Sequence, residues 1–308
     1  MHADEIETDA ALVRRLLADQ FPGWASLSID VVPSWGTDNA LYRLGDEMVV
    51  RLPRLERSVQ ALVKERTWLP MFAPRLPLRV PVPLADGVPA DGYPFEWSVY
   101  SWLDGVDATA GTLVDDARTA EELERFLVAL RRIDATGGPP PGEHNVNRGE
   151  PLRRRDPRTR ASIDALRGSI AAAASGAWEE ALEAPDWNGR PVWIHGDLDA
   201  RNLLVENGRL SGVIDWGCLG VGDPASDLAV AWKVLSSDAR TAFRDALSVD
   251  DATWVRARGW ALSQAVDALS YYTLETRRSS SRRGSGSARC SPRDCGLSRL
   301  PAPGAARQ

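Results

Sequence analysis

Apolar positions change period along this chain, and the changes divide it. From Ile6 to Phe21 the residues Ala10, Leu12, Val13, Leu16 and Leu17 recur at helical spacing behind Thr8 or Asp9, which predicts a capped first helix. The period then shortens. Leu27 to Val32, Ala40 to Leu44 and Met48 to Leu52 read as short strands, the last two joined by a Gly45-Asp46 turn, and so as a small antiparallel sheet. Val59, Leu62, Val63 and Leu69 restore a helical stripe that Pro70 is expected to end. Pro74 to Pro94 is proline-rich around Leu76 to Val82 and leaves room only for short or edge strands. Phe95 to Leu103, FEWSVYSWL, is the next strong strand, with Trp97 expected in the core and Asp104-Gly105 closing it.

Helical patterns dominate the rest. Thr119 and Glu122 stand at capping-box spacing before Leu123, Phe126, Leu127, Leu130 and Ile133. Gly137 to Asn147 reads as a loop, and the arginines 153, 154, 155 and 158, mixed with Glu150 and Asp156, read as a solvated face. Ile163 to Ala184 is an Ala-rich helical stretch that Pro185 breaks. One β-rich stretch interrupts the helices. Val192 to Ile194 is a short apolar run, His195-Gly196-Asp197 turns sharply, and Leu203 to Val205 returns as Leu210 to Ile214 around the hairpin pair Asn207-Gly208. Helices follow over Asp227 to Leu235, behind Asp238, and behind Asp250-Asp251 through Trp254, Ala261, Leu262, Ala265 and Leu269. From Arg277 onward there is neither period nor core, so 277–308 is expected to be a disordered basic tail. The chain thus divides into 1–103, 104–276 and 277–308, with an α+β body.

Composition narrows the function classes. At 308 residues there is room for two lobes with separate cores, and 44% hydrophobic with 26% charged residues is ordinary for a globular protein. No apolar run is long enough to span a bilayer and the acidic start is unlike a targeting peptide, which predicts a cytoplasmic protein with no membrane partner. Cys218, Cys290 and Cys295 make no disulfide framework, and His2, His144 and His195 make no zinc spacing. Cys218 is expected to be a buried, inert thiol. Eight arginines and one aspartate give 277–308 a charge of +7 within a total of −6, which leaves −13 on residues 1–276. An acidic body argues against a nucleic-acid partner and would draw in a cationic substrate.

The hairpin around Asn207-Gly208 carries the candidate chemistry. Closing it brings Asp197 and Asn202, on the loop before it, near Asp215 at its far end. Two carboxylates and an amide oxygen make a hard oxygen site of the kind that takes Mg2+ together with substrate phosphates.

These residues also carry a resemblance. His195-Gly196-Asp197 with Asn202, followed by Ile214-Asp215-Trp216-Gly217, Gly222-Asp223-Pro224 and Asp227-Leu228-Ala229, is similar to the catalytic loop and metal motif of the aminoglycoside phosphotransferase family. The resemblance spans roughly residues 25 to 275. It implies a protein-kinase-like, two-lobed fold with a small antiparallel β lobe and a mainly helical second lobe. It implies transfer of the γ-phosphoryl of ATP or GTP to a hydroxyl of a small molecule, an aminoglycoside first, with a macrolide, a choline-like alcohol or homoserine as rivals.

By the same resemblance Asp197 is the base or orienting carboxylate, and Asn202 and Asp215 hold the metal. Gly36 lies in a phosphate-side loop. Arg51 takes the place of the phosphate-gripping lysine, with Arg54 and Arg57 as substitutes. Glu65 pairs with Arg51, with Glu56 as runner-up, and the backbone between Val99 and Leu103 meets the adenine. His195 shapes the loop and transfers no proton in the reaction. Family members generally finish with helices, so the 277–308 segment reads either as a replaced ending or as a genuine basic tail. Arg51 and the glycine-poor loop also admit a nucleotide-binding pseudokinase.

Overall fold

The computed structural model describes residues 5–33, 38–110, 113–166 and 168–282. Helix α1 (Ala10–Gln20) starts where Asp9 accepts a hydrogen bond from the Leu12 amide at 2.7 Å. Strands β1 (Ile29–Val31), β2 (Asn39–Leu44) and β3 (Met48–Pro53) form a meander, α2 (Glu56–Phe72) crosses behind it, and β4 (Pro83–Gly87) and β5 (Trp97–Ser101) complete an antiparallel sheet in the order β1-β2-β3-β5-β4. Strand β4 is an edge, which suits its one proline, Pro83, at the first position. Strand alternation sorts the side chains. Val50, Leu52, Trp97 and Val99 pack with α1 in a smaller core, whereas Val49 and Tyr100 face the opposite way, into the larger core that α2 joins through Leu62, Leu69 and Phe72.

Pro70 does not end α2; the helix continues to Phe72. A proline in the last turn loses one hydrogen bond, and the fully buried Leu69 and Phe72 on either side hold that turn in the core.

The second lobe comprises β6 (Val106–Asp107), α3 (Asp116–Arg132), α4 (Asp156–Asp164), α5 (Gly168–Glu183), β7 (Val192–Ile194), β8 (Leu203–Glu206), β9 (Arg209–Val213), β10 (Gly220–Gly222), α6 (Ala225–Leu228), α7 (Val230–Val234), α8 (Ser237–Ala246) and α9 (Asp251–Arg282). Strands β6, β8 and β9 form one small sheet and β7 pairs with β10. Asn207 and Gly208, at φ of 52° and 77°, make the predicted tight hairpin between β8 and β9.

Several boundaries differ from the sequence reading. Asp115, not Thr119, caps α3, and Glu122 is buried, where it accepts from the Leu210 amide and from Arg209, each at 3.0 Å. A carboxylate with two buried partners outweighs a local capping preference. The Ala-rich helix starts at Gly168, at a φ of 69°, rather than at Ile163: it is α5, and Ile163 and Asp164 are the last residues of a separate helix, α4. Ser236 rather than Asp238 caps α8. Arg155, expected on a solvated face, is buried and pairs with Asp267 at 3.1 Å. Helix α9 runs to Arg282, so 277–282, read as disordered, is helical; 283–308 lies outside the described residues. No Gly or Pro interrupts the chain between Gly259 and Gly284, and each added residue of a formed helix gains a hydrogen bond. Among the described residues no helix is long and apolar enough to cross a membrane.

Candidate active site

The loop after β7 turns at Gly196, whose φ is 83° and whose α-carbon lies so close to the Cys218 carbonyl that a β-carbon there would sit 2.3 Å from its oxygen. Only glycine fits. The buried carboxylate of Asp227, in α6, accepts from the His195 amide at 2.7 Å and the Gly196 amide at 2.8 Å, which clamps the turn. Burial pushes the Asp227 carboxyl up, and His195 with the two amides draws it back. His195 Nδ1 accepts from the Asp197 amide at 3.2 Å, so its Nε2 donates to the Ile214 carbonyl at 3.0 Å, while its ring packs edge-on against Trp216. With both nitrogens engaged, this fully buried imidazole is a brace. Lys233 in α7 donates to the Leu198 carbonyl at 2.9 Å and lies 3.5 Å from Asp199, holding the middle of the same loop.

These supports bring the sequence-predicted residues together. Asn202 donates from its amide nitrogen to the Asp197 carbonyl at 2.9 Å and faces Asp197 Oδ2 at 3.4 Å. Its own carbonyl accepts from the Ile214 amide at 2.9 Å, which sets it beside Asp215. Asp215 sits in the left-handed region at a φ of 61°, with its side chain 53% exposed. It approaches Arg51 at 3.8 Å. Arg51, on the α2 side of β3, donates to Glu65 at 2.6 Å, and the Asn39 amide, with its oxygen turned inward, accepts from the same guanidinium at 3.0 and 3.3 Å. Tyr100 donates to Glu65 at 3.2 Å. Burial opposes the Arg51 charge, but Glu65 and Asp215 outweigh it and hold the guanidinium above its ordinary value. Burial pushes Glu65 up while Arg51 pulls it back.

The donor set fits a hard cation. All candidate ligand atoms are oxygens, Asp215 faces outward, and the amide nitrogen of Asn202 is spent on Asp197, which leaves its oxygen to coordinate. Among the described residues no three His, Cys, Asp or Glu side chains cluster closely enough to hold a metal alone. Such a site is completed by ligand oxygens.

Other expected positions fall elsewhere. Gly36 lies outside the described residues. Val99 is paired on both sides, with Val50 and Ala85, and its side chain is in the smaller core. The Ser101 and Trp102 amides donate to Val82 and Glu47, so of the proposed hinge positions Leu103 is the one whose backbone stands outside the ladder. Glu56 is exposed, unlike Glu65. Cys218 is half-buried rather than buried, and burial, with Asp197 and Asp215 nearby, pushes its thiol up to about 12.

Three residues of the site have roles the sequence reading missed. Asp227 stands in the sequence as part of the motif that carries the resemblance, but nothing there assigns it the clamp on the His195-Gly196 turn. Lys64, beside Glu65, donates to the Gly217 carbonyl at 2.7 Å and the His144 carbonyl at 3.0 Å, joining α2 to the segment after Asp215; burial lowers its ammonium to about 8. Arg148 lies 3.5 Å from Asp197 Oδ1. A cavity of about 400 Å³ lined by Met71, Arg75 and Arg132 lies at the C-terminal ends of α2 and α3 and takes in none of these residues.

A family model described as "Phosphotransferase enzyme family" matches residues 31–260. Over 52 residues the chain is 46% identical to an aminoglycoside 3'-phosphotransferase of Escherichia coli, a match covering 17% of this chain and only 18% of that protein. Among solved structures, the GDP complex of wild-type aminoglycoside 2'-phosphotransferase-IIIa superposes with a TM-score of 0.72 at 18% identity, covering 88% of this chain and 93% of that one. The apoenzyme of macrolide 2'-phosphotransferase MphH from Brachybacterium faecium does so with a TM-score of 0.59 at 23% identity, covering 89% and 95%. At these identities the likeness establishes a shared fold, α+β and kinase-like.

Proposed function

The chain belongs to the phosphotransferase enzyme family, and from that premise we propose that it moves the γ-phosphoryl of ATP or GTP to a hydroxyl of a small molecule, with an aminoglycoside as first candidate. The observation that supports this reading is the unbroken run of contacts from Asp197 through Asn202 and Ile214 to Asp215, and on to Arg51 and Glu65.

In this reading the nucleotide lies between the lobes of residues 1–103 and 104–276, its adenine against the Leu103 backbone. Arg51, held by Glu65, faces the phosphates. Asn202 and Asp215 would hold magnesium, which neutralises phosphate charge when bound. Asp197 accepts the proton of the acceptor hydroxyl or orients it, as its position 38% exposed at the loop apex permits. Because phosphoryl transfer has a loose transition state, positioning and charge supply most of the rate. The charge of −13 on residues 1–276 favours a cationic acceptor.

Nucleotide consumption across a panel of aminoglycosides, macrolides, choline-like alcohols and homoserine tests the proposal. Acceptor-dependent turnover is expected. Nucleotide binding without turnover on any of them would instead support a non-catalytic nucleotide-binding module.

A further inference from the structure

Arg148 is an expensive residue for its place. Its side chain is 11% exposed, its Nε and Nη1 are buried without a hydrogen-bond partner, and its guanidinium stacks over the buried ring of Trp260, in α9, at 5.5 Å. An apolar side chain would pack on that ring without leaving two donors unsatisfied, so stability alone does not account for a cation here. What the guanidinium does reach is Asp197: Nη2 lies 3.5 Å from Oδ1. Asn202 faces the other oxygen, Oδ2, at 3.4 Å. Two donors on two oxygens restrain rotation of the carboxylate about its last bond.

The backbone is shaped to deliver that contact. Asn145 binds the Gly142 amide at 3.0 Å with its oxygen and the Arg148 carbonyl at 3.1 Å with its nitrogen, closing the loop on itself. Gly149 accepts from the Asp223 amide at 2.9 Å. Between these anchors Val146 and Asn147 adopt φ of 54° and 58°, a conformation that a β-branched residue adopts only under constraint.

We propose that Arg148 is a positioning residue for Asp197, holding Oδ1 while Asn202 holds Oδ2, so that the carboxylate meets the acceptor hydroxyl in one orientation. The inference rests on the phosphotransferase reading. Its test is a double-mutant cycle of Arg148→Met with Asp197→Asn in the full chain, read both in turnover and in urea unfolding, with Arg148→Lys as the conservative variant.

Arg148→Met is expected to lower kcat roughly 100-fold, the scale of a misplaced catalytic group, with both KM values nearly unchanged. Arg148→Lys recovers part of the loss. On the Asp197→Asn background Arg148→Met adds little further loss, because nothing remains to be aimed. In unfolding, the two single effects fail to multiply. A loss of turnover that is undiminished on the Asp197→Asn background overturns the proposal, as does a raised acceptor KM with kcat intact, which would make Arg148 an acceptor-binding residue. Should the wild type turn over no acceptor, the phosphotransferase reading falls by itself, while multiplicative unfolding effects would still overturn the coupling of Arg148 to Asp197.

Discussion

The two halves of the site are held in opposite ways. On the sheet side, Arg51 and Glu65 come from separate elements, β3 and α2, and meet through side chains alone, with Asp215 and Asn39 completing the cluster. On the catalytic side, the loop is fixed through its own backbone: Asp227 holds two amides, His195 ties Asp197 to Ile214, and the Asn202 carbonyl holds the Ile214 amide. A pair of long side chains tolerates movement of α2 against the sheet. A turn hydrogen-bonded through its main chain does not. In the proposed reaction this difference would let the phosphate side adjust to a nucleotide while the group that addresses the acceptor is preorganised before anything binds.

The largest expected effect separates the halves chemically. Asp197→Asn leaves the main-chain frame intact and removes the carboxylate, so turnover should fall by roughly 10²–10⁴-fold while nucleotide affinity, measured by titration, stays close to wild type. A parallel loss of affinity would mean that the halves are not separable. Arg51→Ala strikes the other half and leaves Glu65, 1% exposed, as a buried charge without its partner. Loss of about 3–5 kcal/mol in urea unfolding is expected, with a raised apparent nucleotide constant and partial recovery in Arg51→Lys. An unaffected Arg51→Ala protein would shift the clamp to Arg54 or Arg57. Asp227→Asn should cost less, about 1–3 kcal/mol, since an amide oxygen can serve one of the two backbone donors while its NH2 group opposes the other. Turnover should fall with nucleotide affinity preserved; the reverse pattern would place Asp227 in the nucleotide half.

How much of this was legible in the sequence follows the same division. The hairpin at Asn207-Gly208 and the spacing of Asp197, Asn202 and Asp215 are local features, written in turn chemistry and strand period; in the structure the Asn202 side chain faces Asp197, and its backbone carbonyl holds the amide of Ile214, next to Asp215. The Arg51–Glu65 pair was legible through the order of strand and helix and through the family resemblance. Arg148 was not, because its loop has no period and nothing in a valine announces a left-handed backbone. Caps were misplaced for a related reason. Thr119 and Glu122 satisfy the local rule for a helix start, yet Glu122 is drawn away by the distant Leu210 amide and Arg209, which no short window contains. Pro70 was misread because burial of Leu69 and Phe72 overrides its local preference.

The smallest expected effect sharpens the comparison most directly, because it asks whether the backbone-held half carries strain. Val146 sits at a φ of 54° in the loop that presents Arg148, with its side chain exposed. Asparagine tolerates this conformation far better than a β-branched residue, and little burial is lost on replacement, so Val146→Asn should stabilise the protein by about 1 kcal/mol. The gain would appear as a higher urea midpoint at unchanged slope. Turnover should not change, since Arg148 is placed by the Asn145 and Gly149 anchors rather than by the valine side chain. No gain in stability would mean that the turn is held without strain. A gain bought at the expense of turnover would mean that the strain itself helps to aim Arg148 at Asp197, and the catalytic half would then be stressed as well as rigid.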